Sequence, residues 1–260
     1  MKKMYRVVYA AILTALLCNF VNATPSTQIW IPSTDIQGFG VLHLGWDSYI
    51  KTEQAKNAFG NNYYEPTTTN GGITVGLLPF KKVGLEVGID YRDLSNVHQY
   101  PVYFNAKLGI PEDAFFKYQP AVAFGGYDFG TKNNYSDYNV MYGLLAKNIW
   151  KLGRISAGYY SGNDKLLLDD KGEKDNSGLL VSWDRTISEL TDKLWLAVDY
   201  QGAKNGYGAL SFGAAYYICP DASFIIGYDI YNNDNYKPTV TVQVDMNLPA
   251  IQTWFKTTGK

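Results

Sequence analysis

"VGLEVGIDYRD" (residues 83–93) sorts its side chains by parity. Leu85, Val87, Ile89 and Tyr91 fall on odd positions; Glu86, Asp90 and Arg92 share the even ones with Gly84 and Gly88. Period-two alternation marks a β-strand with one apolar and one polar face. What the apolar face meets decides the fold: a packed core if it points in, lipid if it points out.

Working outward, the same alternation returns about a dozen times between residues 40 and 247. Leu42, Leu44, Trp46 and Ile50 share a parity in the first segment, Val102, Phe104, Ala106 and Leu108 in the fourth. Leu210, Phe212, Ala214 and Tyr216 do so in the tenth, and Val240, Val242, Val244 and Met246 in the last. In the sixth the apolar set is Val140, Tyr142, Leu144 and Ala146, whereas the fifth, PAVAFGGYDFG from Pro120, alternates too weakly to fix its facing. Segments of nine or so residues suffice to cross a bilayer at a tilt.

The links between them alternate in length. Short ones fall at 79–82, 151–154, 188–193 and 220–223, with a somewhat longer one at 110–119. Long polar ones fall at 51–71, 93–101, 130–139, 161–177, 202–209 and 231–238. Short turns at one end and long loops at the other predict an up-and-down antiparallel barrel.

Residues 1–23, MKKMYRVVYAAILTALLCNFVNA, have a basic start and an apolar run from Val7 to Val21, the layout of a secretory signal cleaved after Ala23. Removing Lys2, Lys3 and Arg6, and no acidic residue, takes the net charge from −1 to −4. A mildly acidic chain argues against nucleic acid as a partner. Cleavage would also leave Cys219 as the lone cysteine. No later stretch is long and apolar enough for a spanning helix, so any membrane crossing falls to strands closed into a barrel.

Twelve strands enclose more space than side chains alone fill, and an inward apolar face would leave a large greasy void. The opposite face is rich in Gly, Ser, Asp, Gln and Asn, which suits a wet lumen. Tyr and Trp gather near strand ends (Trp46, Tyr49, Tyr91, Trp150, Tyr159), where interfacial girdles belong. The expected fold is therefore all-β: a transmembrane barrel of about twelve strands, apolar side out, spanning 40–247. Residues 24–39 are expected as a periplasmic lead-in and 248–260 as a periplasmic tail.

Over residues 40–247 the alternation, loop asymmetry and signal together resemble the Gram-negative outer-membrane β-barrel class, without a motif that selects one family. The resemblance implies an outer-membrane location, lipid around the barrel and handling by the outer-membrane assembly machinery. Such barrels commonly end on an aromatic residue; here LPAIQTWFKTTGK follows the last strand, with Trp254 and Phe255 set back from the terminus.

The polar parity collects Asp47, Glu86, Asp90, Asp184, Asp199, Asp229 and Asp245 against Arg92, Lys107 and Lys147. These ten are the expected lumen-lining residues, and their acidic excess favours cations or neutral solutes in a water-filled bore. Glu86 and Lys107, mid-strand on neighbouring strands, are expected to pair and narrow it. The expected activity is a porin-like channel for small hydrophilic solutes. The alternative is a closed barrel recognising a surface partner or glycan through loops such as NAFGNNYYEP, GTKNNYSDYN and YNNDNYK. An enzyme is not expected: there are only His43 and His98, and neither shows a nucleophile–base spacing. A hydrolase would have to centre on His98 and Asp93. No cofactor or metal is expected.

Overall fold

The computed structural model describes residues 27–57, 59–93 and 100–248. Twelve strands follow one another around a closed antiparallel barrel. They are β1 (Leu42–Lys51), β2 (Thr68–Gly76), β3 (Gly84–Asp93), β4 (Val102–Ile110), β5 (Ala121–Gly130) and β6 (Val140–Ile149). The second half comprises β7 (Gly153–Ser161), β8 (Ser177–Thr186), β9 (Leu194–Gln201), β10 (Ala209–Cys219), β11 (Ala222–Tyr231) and β12 (Thr239–Leu248). β12 returns to β1, from Leu42 opposite Leu248 to Lys51 opposite Thr239, so the sheet has no open edge. Among the described residues the expected turns and loops stand between the strands, and a two-residue ribbon (Ala55–Lys56 with Asn62–Tyr63) decorates the link after β1.

The opening stretch answers its own question. Ile89 is 51% exposed on the outside, while Glu86, on the same strand, is 3% exposed inside. Trp46, Ile73, Phe124, Leu179 and Ile226 likewise face outward. An outer surface of large apolar side chains around a polar interior is what a lipid solvent demands.

β6 reverses the expected facing. Val140, Tyr142, Leu144 and Ala146 are buried inside, and Met141 and Leu145 stand outside. Both parities of this strand are apolar, so alternation could not orient it. β5 is irregular for a different reason: its register with β4 slips between Phe104 and Ala106. Nearby, Asp128 has φ 55°, the left-handed region. Tyr127 and Asp128 consequently both line the interior.

The signal, its cleavage point and the tail beyond Leu248 lie outside the described residues.

Candidate functional site

The described part of the lead-in does not hang below the barrel. From β1 the chain doubles back under the turn end, bridges Phe39 to Gly76, and climbs inside the lumen to a tight turn closed by Thr27 and Pro32. Ile36 seats against Gly84 and Gly109, where a Cβ would lie 2.7 and 2.5 Å from its carbons. Ile29 seats similarly against Gly213 and Gly227. Glycine is needed at these sockets because a second backbone layer passes directly over the wall.

Polar anchors hold the segment. The Gln28 amide donates to Asp184 at 3.0 Å, and the backbone amides of Ile29 and Trp30 donate to Asp199 at 2.8 and 3.0 Å. The Gln243 amide donates to the Ile29 carbonyl, and Arg154 clamps Asp35 and Asp184 together. Around these anchors lies an apolar core inside the barrel. Ile31 packs with Val140, Tyr142, Leu144, Tyr160 and Leu180, and Leu167 folds in from the long loop after β7. Ile29 packs with Trp195, Ala197, Ala215 and Ile225. The lumen beside β6 to β11 is thereby largely filled, with Tyr142, Gln201 and Tyr231 reaching the space that is left.

The wall from β12 through β1 to β4 is not. It borders a polar cavity of about 470 Å³ that reaches up to Tyr207 and Tyr236 in the long loops. A second cavity of about 300 Å³ opens at the turn end, beneath Gln37. One joint separates them: Lys107 pairs with Glu86 at 3.0 Å, and Glu86 accepts the backbone amide of Gln37 at 2.8 Å. At the upper rim Arg92 grips Asp128 at 2.7 Å, and the Tyr207 hydroxyl donates to the same carboxylate. Burial, then the Asp128 charge, pushes that hydroxyl well above its ordinary pKa, so it stays a donor.

Of the ten expected lumen residues, Asp47, Glu86, Asp90, Arg92, Lys107 and Asp245 line the large cavity. Asp184 and Asp199 face inward but are occupied as anchors, and Asp229 accepts from Thr239 across neighbouring strands. Lys147 is the exception. It shares the outward parity of Leu145, near the turn end, and binds Glu112 and Asp113 of the link after β4. The face reversal of β6 that buries Leu144 necessarily turns Lys147 out. Sequence reasoning missed Gln28, Asp35, Gln37, Asp128 and Arg154; the first three sit on a segment with no periodicity to read.

His43 bonds Asn247 and lies 3.3 Å from Asp245. His98 falls outside the described residues. Among the described residues no three His, Cys, Asp or Glu side chains gather to hold a metal ion. The asparagines of the outer loops are partly structural: Asn232 and Asn233 donate to carbonyls of the loop after β9, and Asn205 of that loop donates to Tyr160 and to the Asp175 carbonyl.

No family model and no curated protein sequence matches the chain. Similar solved structures include the KdgM porin, at TM-score 0.51 and 9% identity over 78% of this chain and 98% of that one. An outer membrane channel from Pseudomonas putida F1 aligns at TM-score 0.48 and 10% identity over 82% and 97%. Outer membrane phospholipase A from Escherichia coli aligns at 0.46 and 14% over 83% and 94%. At such identities the likeness is one of fold: a barrel of the outer-membrane class.

Proposed function

We propose that this outer-membrane-type barrel passes small hydrophilic solutes, cationic or neutral, along the polar half of its lumen. The cavity beside β12 and β1–β4 carries the reading. It is continuous from the tyrosine rim down to the Glu86–Lys107 joint, and a further cavity lies directly below that joint. The inner segment sets the bore: it fills the opposite half and, through Gln37, closes the floor. Asp47 and Asp90 supply negative charge that no lysine or arginine pairs among the described residues, so cations are favoured over anions.

Purified full chain in a planar bilayer tests this. A small, reproducible, cation-preferring conductance is the expected result. A silent bilayer, both for the full chain and for a form lacking residues 27–37, overturns it. That outcome would favour the closed recognition barrel, for which the interlocked outer loops are the supporting observation.

A further inference from the structure

Three turns at one end of the barrel repeat one arrangement. The connections β2–β3, β4–β5 and β6–β7 alternate with the long loops, so they stand side by side at the turn end. Lys82 of the first holds its Nζ 5.2 Å over the ring of Phe115 in the second. Lys117 lies 4.8 Å over Tyr118 within the second, and Lys151 lies 5.1 Å over Trp150 in the third. Phe115 and Tyr118 are more than half exposed, and Trp150 is 88% exposed. Among the described residues none of the three lysines has a carboxylate within 4.0 Å.

The charge is one-sided. Segments 77–83, 111–120 and 150–152 hold four lysines against Glu112 and Asp113, and both of those carboxylates are taken by Lys147. The other two turns, 187–193 and 220–221, hold one lysine against three carboxylates. This basic sector also adjoins the lipid-facing wall. Leu77, Leu108 and Phe124 face outward next to these turns, and Tyr118 lies 6.0 Å from the ammonium of outward-facing Lys147. An exposed ring beside such a wall settles where hydrocarbon meets headgroups, and a lysine held over it carries its charge at the depth of the phosphates. A soluble acidic protein would match the charge but leave the rings and the adjoining wall without a role.

We infer that this side of the turn end collects anionic phospholipid, its phosphate against Lys82, Lys117 and Lys151 and its glycerol and upper chains against the rings. The surface lies outside the lumen, so the inference is independent of the channel reading.

Native mass spectrometry tests it, with the folded full chain in detergent and equal amounts of dioleoyl phosphatidylglycerol and dioleoyl phosphatidylcholine. The anionic lipid is expected to be retained at least about ten-fold over the zwitterionic one, since each lysine near an anionic surface adds roughly five-fold. Lys82→Gln, Lys117→Gln and Lys151→Gln together bring the ratio to within about two-fold of unity. Lys165→Gln, Lys171→Gln and Lys204→Gln, the same loss of charge in the outer loops, leave it unchanged. All six side chains are exposed, and surface changes of this kind leave folding intact. Equal retention of the two lipids by the unaltered chain overturns the inference, as does an equal loss in the loop variant. Displacement of the lipid by an equal concentration of hexaglutamate assigns the lysines to a soluble acidic partner and overturns it too.

Discussion

On the inner face of β6 stand Val140, Tyr142, Leu144 and Ala146; the inner face of β3 carries Glu86, Gly88, Asp90 and Arg92. Both strands belong to one closed sheet and border one lumen. The first wall packs against Ile31 and Leu167, with Tyr142 alone of the four reaching the edge of the cavity, whereas Glu86, Asp90 and Arg92 of the second line it. A twelve-stranded barrel encloses more volume than its own side chains fill, and this chain fills part of the surplus with its own inner segment. The same residue type then does two jobs. Asp184 and Asp199 on the filled side hold that segment by accepting its amides; Asp47 and Asp90 on the open side face the cavity, Asp90 accepting from Asn105 of the neighbouring strand. An acidic lumen residue cannot be assigned a role until its wall is known.

The largest test of this contrast removes the filler. Deleting residues 27–37 takes away Ile29, Ile31, Ile36 and the Gln37 amide together, so single-channel conductance should rise several-fold and the preference among cations should relax. Unchanged conductance would mean that the segment does not limit the bore.

Anchors and cavity residues should also separate in stability. Asp199→Ala strands the amides of Ile29 and Trp30 in a dry interior, a loss of about 2–4 kcal/mol. Asp47→Asn, facing the cavity, should stay within about 0.5 kcal/mol. Urea midpoints for unfolding in lipid, read by heat-modifiable gel mobility, compare the two. Equal losses would erase the distinction between the walls.

What the sequence made legible, and what it hid, follows the same line. Strands such as β3 and β12 meet lipid on one side and polar interior on the other, so strict alternation announced them. β6 meets lipid outside and an apolar core inside, and a strand buried in two apolar media has no alternation to orient it. β5 carries a register slip near Asp128, which moves consecutive residues to one face. The inner segment has neither period. Its anchors join residues such as Gln28 and Asp184, 156 positions apart, which no local pattern records. Glu86–Lys107, by contrast, was readable because it spans adjacent strands of clear phase.

Selectivity gives a smaller effect. Replacing Asp47 and Asp90 by Asn should lower the cation-to-anion permeability ratio measured from reversal potentials, while Asp229→Asn, whose carboxylate accepts from Thr239 away from the cavity, should leave it alone. Equal changes would place Asp229 on the conduction path.

The smallest effect concerns Lys147, the residue that left the lumen. Burial alone would raise the carboxyl pKa of its partner Glu112, but hydrogen bonds from Lys147 and Asn148 outweigh it and hold that pKa below 4.5. A carboxyl held low in the folded state contributes stability above its unfolded value, and the contribution is lost as pH falls through the lowered one. At neutral pH, Glu112→Gln should therefore cost under about 1 kcal/mol, as expected of a rim pair. The gap between variant and parent should close on acidification below 4.5. Lys147→Gln should leave ion selectivity untouched, whereas Lys107→Gln, freeing Glu86 at the joint between the cavities, should shift it toward cations. A selectivity change on Lys147→Gln would return that lysine to the bore and undo the inward facing of Leu144 with it.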